Sequence, residues 1–339
     1  NVESEIAKNL KFNVGLSGVM TNRQSPAFLS GGADNGYSET GWFSIARQTI
    51  QMHPYLPVKY NGVYTGAVQN NQSYLVSPLA AIYESGYKKT RTSELDANAA
   101  LVYNVPFIKG LSLRASGSYD YYTSFNKNLS LPYTMAQHKY DETAGAWVWS
   151  TRSDNPHISD NVSNLGEGVS FYESMVGQLS ANYVHSFGKH NIDAMLLAEW
   201  RDYKSNGLSA YAKNIPFAEL PELSYGQATN SPVGGWSDAS RSEGYVFRLR
   251  YDYDERYLAE VTGRLDGSYK FSGMNKSKRW GFFPSVSVGW RLSKEEFLQD
   301  SDIITDLKLR ASTGLLGNDS VSPYMFMSSY NQSLNVVYP

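Results

Sequence analysis

The stretch Tyr245-Val-Phe-Arg-Leu-Arg-Tyr-Asp-Tyr253 decides the fold, because its side chains alternate between two chemical classes. The odd positions carry Tyr, Phe and Leu, whereas the even positions carry Val, Arg and Asp. The alternation resumes over residues 257–266, where Tyr, Ala, Val, Gly and Leu face one way and Glu, Thr, Arg and Asp face the other. Since successive side chains of a strand point to opposite sides, this pattern predicts a long hairpin with one apolar wall and one charged wall.

The length of these strands favours a membrane setting over an ordinary β-sandwich. Strands in soluble domains average about 5–6 residues, whereas a strand that crosses a bilayer at a tilt needs ~9–11 residues. Tyrosines stand near the ends of the apolar wall, where membrane barrels carry an aromatic girdle. The sequence therefore predicts an all-β protein, namely a transmembrane antiparallel β-barrel.

Composition is compatible with this prediction and excludes some other classes. The chain has 339 residues, a net charge of −2 and no cysteine. It has no run of 18 or more apolar residues, which excludes a membrane helix, and its near-zero charge gives no footprint for nucleic acid. Tyrosine is enriched at 26 residues, which suits an interfacial girdle or a sugar-contacting surface. A tyrosine-rich soluble β-protein is the alternative that composition leaves open.

The connections along the chain alternate between long and short. Short turns are predicted at Pro106–Gly110 and Gly188–Lys189, with long loops between the hairpins. This alternation predicts an up-and-down meander with short periplasmic turns and long extracellular loops. Pro284 lies inside a predicted strand and indicates a local bulge there. Nine strands are predicted, near residues 10–20, 93–105, 111–125, 169–187, 190–204, 238–253, 257–270, 280–292 and 306–315, all in one barrel domain spanning 1–339.

Three blocks near the end of the chain carry a family resemblance. They read Arg264-Leu-Asp-Gly-Ser-Tyr-Lys-Phe271, Arg279-Trp-Gly-Phe-Phe-Pro-Ser-Val-Ser-Val-Gly-Trp-Arg291, and Leu307-Lys-Leu-Arg-Ala-Ser-Thr-Gly314 followed by Gly317-Asn318. In order and spacing they resemble successive barrel strands of the SusC/RagA family, the TonB-dependent outer-membrane transporters of the Bacteroidetes. The resemblance implies a 22-stranded barrel around a plug, of which this chain resembles a central portion. Neither the plug nor a TonB-contacting segment is recognisable, so we expect the chain to be a piece of a longer protein.

The resemblance also implies a function. Family members import a hydrophilic nutrient, an oligosaccharide or a peptide, through the outer membrane together with a SusD-like surface lipoprotein. TonB would act through a segment outside this chain, and outer-membrane lipid would surround the barrel. Such import needs no covalent chemistry, so we expect neither an enzyme nor a cofactor. The sequence does not identify the solute, because selectivity resides in loops, plug and partner.

Signatures of catalysis are missing from the sequence. It contains no G-x-S-x-G, H-E-x-x-H, P-loop or G-x-G-x-x-G motif. The five histidines are scattered over predicted loops and one turn, so no metal site is expected.

The charged wall is the first candidate for function. A charge on the lipid face would cost ~2–4 kcal/mol near the midplane, so these side chains should face a lumen. They serve either as cross-strand ion pairs and plug contacts or as the lining of a solute path. The predicted lumen-facing charges are Arg114, Glu199, Arg201, Arg248, Arg250, Glu260, Arg264, Asp266, Arg291, Lys308 and Arg310.

Aromatic residues in the long loops are the second candidate. Flat aromatic rings stack on sugar faces and anchor protein interfaces, although for any single residue ordinary loop packing is the better explanation. In the family such loops contact the SusD-like lipoprotein and help to enclose the ligand. The predicted ligand or partner contacts are Trp42, Tyr64, Tyr74, Tyr83, Trp147, Trp149, Tyr225 and Trp236.

Two other functions remain open on the sequence. A passive porin or structural barrel would need neither plug nor TonB box, so the sequence preceding this chain would discriminate. A secreted glycan-binding module or hydrolase would need paired carboxylates in a cleft and would be water-soluble. The carboxylates here stand on strand faces beside arginines, which favours the importer.

Overall fold

The computed structural model describes residues 2–27, 45–46, 49–50, 52–68, 75–153, 162–271, 279–298, 303–323, 325 and 327. Ten of the described strands form one sheet, the main sheet. They are β1 (Val2–Ala7), β2 (Leu10–Pro26), β7 (Gly86–Asn104), β8 (Leu111–Ser130), β11 (Asn164–Phe187), β12 (His190–Lys213), β13 (Gln227–Tyr253), β14 (Tyr257–Ser268), β15 (Trp280–Arg291) and β16 (Lys308–Gly314).

The remaining elements form small hairpins in the long connections. They comprise β3 (Lys59–Tyr60), β4 (Val63–Tyr64), β5 (Ala67–Val68), β6 (Leu75–Val76), helix α1 (Pro78–Tyr83), β9 (Thr134–Asp141) and β10 (Ala146–Ser153). None of the helices in the described part of the chain is long and apolar enough to cross a membrane.

The main sheet is an antiparallel up-and-down meander, as the sequence predicted. Its strands follow in the order β1-β2-β7-β8-β11-β12-β13-β14-β15-β16, and each pairs antiparallel with its neighbours. Short turns lie at one end, here called the turn end, together with the longer β15–β16 connection of residues 292–307. The other connections lie at the opposite end, the loop end. Gly110 and Gly188 adopt left-handed conformations in these turns, with φ of 89° and 59°.

Several strands continue well beyond the predicted bounds of 169–187, 190–204 and 238–253. β11 and β12 each have 24 residues and β13 has 27. Aromatic side chains cover two of the glycines in the extended parts, Gly166 and Gly207. The indole of Trp236, for example, lies where a side chain at Gly207 would stand, with Nε1 2.7 Å from the position of a Cβ atom. Strand β1, which is largely polar, was not predicted.

The predicted bulge at Pro284 is wrong. β14 and β15 pair without a register shift, and Pro284 lies directly opposite Gly263. The carbonyl oxygen of Pro284 accepts from Leu315 N (2.9 Å), so the proline nitrogen also points toward β16. The last β15–β16 pair is Ser285 with Gly314. The missing N–H therefore lies beyond the end of that ladder, where no partner strand needs it.

The register indicates a strong strand tilt. The positions of three successive turns can be compared by the β11 residue that lies level with each in the register. The β11–β12 turn follows Phe187, and the β7–β8 turn lies beside Val184. Leu10, at the β1–β2 turn, lies in the same lateral row as Ala181. The turns thus climb three residues, or about 10 Å, for every two strands, which span about 9.6 Å. If the turns lie in one plane, the strands tilt by about 45°, close to the ~35–45° of membrane barrels.

The two faces of the main sheet differ in chemistry. The apolar face carries Tyr245, Phe247 and Leu249 together with the residues in register with them, and the polar face carries Arg248 and Arg250 with theirs. Leucines at the centre of the apolar face are exposed, such as Leu179 at 53% and Leu196 at 63%. This arrangement is the reverse of a water-soluble sheet, in which the apolar face is covered.

Aromatic residues border the apolar face at both ends. The turn-end girdle runs through ring contacts of 5.0–6.2 Å between centroids, and the loop-end girdle includes Tyr245 and Trp280 at 5.8 Å. On β13 the girdles are separated by residues 245 to 253, which is about 27 Å along the strand. The turn-end girdle comprises Tyr183, His185, Phe187, His190, Tyr251 and Tyr253, and the loop-end girdle comprises Tyr119, Tyr121, Trp200, Tyr245 and Trp280.

We expect Gly263→Val to destabilise the sheet, because the Phe247 ring covers Gly263 and its Cε1 lies 2.1 Å from where a Cβ would stand. Overpacking of this kind costs about 1–3 kcal/mol. Gly177→Ala is the matched control on the same face, since its nearest neighbour, Trp200 Cε3, lies at an ordinary 3.9 Å. Thermal unfolding of the whole protein in detergent measures both. Equal unfolding midpoints for the two variants would contradict the prediction.

Candidate functional site

All eleven charges predicted to face a lumen lie on the polar face of the main sheet. Residues paired across an antiparallel ladder share a face. The register connects Arg114 through Ser180 to Leu197, which lies two residues from Glu199 on the same face of β12, and it connects Arg310 to Gly289. The eleven charges therefore lie on one continuous face of the main sheet. That this surface lines a lumen stays a prediction.

Glu199 is the centre of the first ion-pair network on the polar face. Its side chain is only 7% exposed and pairs with Arg201 at 2.8 Å and with Arg264 at 3.6 Å. Gln178 on β11 donates to Oε2 of the same carboxylate at 2.5 Å. The buried charge therefore has partners from three strands, as a desolvated carboxylate requires.

The contact between Arg264 and Glu199 depends on a glycine. Glu199, Gly244 and Asp266 form one lateral row on β12, β13 and β14. A Cβ at Gly244 would stand 2.8 Å from Asp266 Oδ1 and 3.0 Å from Arg264 Nη2. The absence of a side chain on the middle strand thus lets the guanidinium pass over it. Arg264 also donates to both carboxylate oxygens of Asp266, at 2.7 and 2.8 Å.

A second network lies nearer the turn end. Asp193 on β12 pairs with Arg248 at 3.4 Å and with Arg250 at 3.8 Å. Arg250 in turn donates from Nε to Glu260 on β14. These pairs cross three adjacent strands, so much of the charge on the polar face is used internally.

Of the eleven predicted charges, three cations have no ion-pair partner among the described residues, namely Arg114, Lys308 and Arg310. Two of them line a cavity of about 750 Å³ together with Asp193 and Glu260. A larger depression of about 950 Å³ lies mainly against leucines of the apolar face, where few polar groups converge. The walls of the polar cavity carry both signs of charge, which suits a hydrophilic ligand better than the apolar depression does.

Charged residues also connect neighbouring turns at the turn end. Lys189 donates to Asp254 at 2.8 Å, and this hydrogen bond lowers the pKa of the aspartate and raises that of the lysine. The Glu295 carboxylate accepts from Trp290 Nε1 at 2.8 Å and from the Tyr257 hydroxyl at 2.9 Å, which lower its pKa. These contacts hold three successive hairpins at a common level.

The two first long connections fold against each other at the loop end. Gly66 N donates to Ala136 O at 2.9 Å, which joins the β4 region to β9. Ala80 of α1, Tyr133 and Met135 form a small buried core, against which Tyr64 packs. We call this unit, formed by β3, β4, α1, β9 and β10, the loop module. It is a folded structure and not a set of independent loops.

An aromatic stack runs along one face of the β9–β10 hairpin. Tyr60 lies on Trp149 with centroids 4.2 Å apart and planes 7° from parallel. His138 follows at 4.7 Å from Trp149 and 5.2 Å from Trp147, and Tyr140 meets Trp147 edge-on at 5.9 Å. At the tip of the hairpin Trp147 is 60% exposed and Tyr140 52%. The stack therefore ends in a rigid aromatic surface open to a ligand or partner.

The structure gathers some of the predicted loop aromatics and separates others. Tyr64 and Tyr83 lie 6.3 Å apart in the loop module, which also holds Trp147 and Trp149. Tyr225 contacts Phe217 at 6.4 Å, away from this group, and Trp236 lies on β13 beside Tyr172 at 6.0 Å. Trp42 and Tyr74 lie outside the described residues. A role of any of them in binding stays a prediction.

Sequence reasoning missed Tyr60, His138 and Tyr140 as members of the aromatic stack. For the last two a signal existed, because they alternate on β9 as Trp147 and Trp149 alternate on β10. Asp141 accepts from Thr143 N and Ala144 N in the turn between them, an arrangement typical of a hairpin. Tyr60 gave no signal, since it reaches the stack from a distant segment. Among the described residues no group of three or more His, Asp or Glu side chains is arranged to hold a metal ion.

No family model matches the chain, but individual proteins do. The TonB-dependent receptor P3 of Formosa agariphila is 28% identical over 345 residues, covering 99% of this chain and 30% of the relative. The TonB-dependent receptor SusC of Bacteroides thetaiotaomicron is 27% identical over 251 residues, covering 72% of this chain and 21% of the relative.

Solved structures show the same fold. The RagAB peptide importer in its open-open state matches 95% of this chain and 32% of its own with a TM-score of 0.70 at 22% identity. A second structure of the RagAB peptide transporter matches with a TM-score of 0.69 at 21% identity. The resemblance read from the three sequence blocks is thereby confirmed. The chain spans about a third or less of the length of these relatives.

We expect Glu199→Ala to destabilise the protein by about 1–3 kcal/mol, because Glu199 is only 7% exposed and its removal leaves the Gln178 amide without an acceptor. Glu3→Ala is the matched control, since its 3.6 Å pair with Lys11 is largely exposed and should contribute ~0–1 kcal/mol. Chemical unfolding in detergent measures both. A Glu199→Ala variant as stable as the control would show that the network contributes nothing.

We expect Lys189→Gln to remove a pH-dependent part of the stability. Because the pKa of Asp254 is lowered in the folded state, the pair stabilises the protein above the ordinary aspartate pKa of ~3.9, and this contribution is lost as the pH falls through the lowered pKa. The variant should therefore unfold at a lower temperature than the wild type at pH 6, and the difference should shrink below about pH 3.5. Lys109→Gln, in a neighbouring turn, is the control. A difference that persists at low pH would refute the assignment.

Proposed function

We propose that this chain, which is of the SusC/RagA type of TonB-dependent transporter, forms part of the barrel wall of an outer-membrane importer of a hydrophilic nutrient. TonB-dependent receptors of this type are outer-membrane β-barrel proteins, and the main sheet has the face chemistry of such a wall. The observation that carries the proposal is the reversed burial of the main sheet. Exposed leucines stand between two aromatic girdles on one face, while the Glu199 carboxylate is buried on the other.

The polar face is proposed to line the lumen. Its ion-pair networks tie β11 to β14 and so stiffen the wall, whereas Arg114, Lys308 and Arg310 are the cations available to a plug or a passing solute. A surface with both signs of charge suits a hydrophilic ligand, because each ligand group displaced from water finds a hydrogen-bonding partner.

The loop module is proposed to meet the nutrient or a SusD-like surface lipoprotein at the outer face. The proposed solute is an oligosaccharide or a peptide, and the description of the solved relatives as peptide transporters supports the second of these. TonB is proposed to drive import through a segment outside this chain. The exposed rings of Trp147 and Tyr140 are pre-ordered by the stack, so little conformational freedom is lost when they are covered.

Extraction of the native protein from outer membranes in mild detergent tests the proposal directly. Intact-mass and proteomic measurements should find a polypeptide about three times as long as this chain together with a co-purifying lipoprotein. Uptake of a labelled ligand should stop when the proton gradient is collapsed. Uptake that continues without the gradient would indicate a passive porin, and a freely soluble protein without a partner would favour the secreted glycan-binding module.

We expect the double variant Trp147→Ala, Trp149→Ala to raise the half-saturating ligand concentration for uptake about tenfold, since each aromatic contact contributes ~0.5–1.5 kcal/mol. Phe107→Ala is the matched control, because this phenylalanine is 82% exposed but stands in a short turn at the opposite end of the sheet. Equal uptake by both variants, at equal protein levels in the outer membrane, would remove the loop module from the binding site.

A further inference from the structure

Two cations on the apolar face of β7 stand just beyond the loop-end girdle. The strand tilt derived above defines a level line across the sheet, which passes from Trp200 through Tyr119 and Tyr121 to Leu95 on β7 and Met20 on β2. Arg91 lies four residues past Leu95 on the same face, which is ~13 Å along the strand and about 9 Å above the level line. Lys89 follows two residues later. We call Lys89 and Arg91 the basic pair.

The surroundings of the basic pair are those of a polar–apolar boundary. Arg91 reaches back toward the girdle, with Nη2 3.2 Å from Met20 Sδ. The ammonium of Lys89 lies 4.4 Å from the centroid of the Tyr87 ring. Exposed apolar side chains continue up to this level, including Met20 at 58% and Phe125 at 43%. Long cationic side chains beside exposed apolar surface are typical of the interfacial layer of a membrane.

Among the residues that the structure describes, no carboxylate pairs with Lys89 or Arg91. On β2, β7 and β8 the residues of the apolar face beyond the girdle include no carboxylate; Glu94 and Asp96 point to the polar face. The neighbouring Lys127 is already paired with Glu167 at 2.8 Å. On β12 and β13, by contrast, a cation of the apolar face is neutralised, because Arg241 pairs with Asp202 at 2.9 Å. Lys204 on β12 stands opposite Glu173 of β11 in the register, whereas Lys89 and Arg91 have no carboxylate opposite them on β2 or β8.

We propose that the basic pair binds the phosphate of a lipid headgroup in the outer leaflet of the outer membrane. The inference rests on the proposed function, since it takes the apolar face to be embedded in lipid. Charge complementarity and continuity with the lipid-facing band both favour this occupant. A phosphate held between the guanidinium and the ammonium receives charge-assisted hydrogen bonds from both, while the acyl chains of the same lipid lie against the exposed apolar residues below.

Native mass spectrometry of the whole purified transporter tests this proposal. The protein is titrated with a bisphosphorylated lipid A and with the same lipid after removal of its phosphates. We expect the double variant Lys89→Gln, Arg91→Gln to bind the phosphorylated lipid about thirtyfold more weakly than the wild type. The dephosphorylated lipid should bind both proteins equally weakly.

Lys88→Gln is the matched control, because Lys88 neighbours the pair on the same strand but points to the polar face. It should retain the wild-type affinity. An equal loss in this control would indicate non-specific charge attraction, and an unchanged affinity of the double variant would refute the site. Displacement of the lipid by equimolar inorganic phosphate would also overturn the proposal, since it would show a small-anion site.

Two further measurements keep the interpretation unambiguous. The double variant should unfold in detergent at the same temperature as the wild type, because both side chains are exposed and have no ion pair among the described residues. If it unfolds at a lower temperature, it is replaced by Lys89→Arg, Arg91→Lys. That variant keeps both charges and should keep the lipid affinity. Membrane fractionation of the wild type tests the proposed function separately. A protein found in the outer membrane whose lipid affinity is unaffected by the substitutions would refute only the headgroup site.

Discussion

The continuous ladder of backbone hydrogen bonds is the interaction on which the other features of this protein depend. It pairs each residue of β11 from Asn164 to Phe187 with a partner on β12, and it runs through nine such strand pairs of the main sheet. Since the side-chain period of a strand is two, a slip of one residue would move every arginine of the polar face onto the apolar face. The ladder therefore determines which charges meet and which apolar residues stay exposed.

Glycines let side chains use this framework more fully than the ladder alone would allow. At Gly244 the missing side chain opens a passage for the Arg264 guanidinium, so an ion pair spans three strands. At Gly263 and Gly207 the same lack of a side chain makes room for a cross-strand aromatic ring, which covers the exposed backbone. One residue type thus makes room for an ion pair at Gly244 and for aromatic packing at Gly263 and Gly207.

The loop module is stabilised by different interactions from those of the main sheet. It is held by side-chain contacts between segments far apart in the chain, such as Tyr60 on Trp149 and Tyr64 against Met135. A stiff wall with a separately folded outer module separates two tasks. The wall fixes which charges share the polar face, while the module presents the exposed rings of Trp147 and Tyr140.

The sequence by itself determined the strands, the two faces and the up-and-down order, because alternation and turn residues are local signals that the ladder then reinforces. The blocks from Arg264 to Gly314 also determined the family, since order and spacing survive where overall identity is low. Strand ends could not be predicted, because the glycines of β11 to β13 resemble loop residues until an aromatic side chain from the neighbouring strand covers them. The regular strand at Pro284 could not be predicted either, because it depends on where the pairing between β15 and β16 ends.

Only the tertiary structure decided which residues meet. The pairing of Glu199 with Arg264 across Gly244, the stack that joins Tyr60 to Trp149, and the level of Lys89 and Arg91 relative to the girdle all depend on register and tilt. Those quantities arise from hydrogen bonds between strands separated along the chain. A local pattern therefore specifies the face on which a side chain lies, whereas the partner it finds there is a property of the assembled sheet.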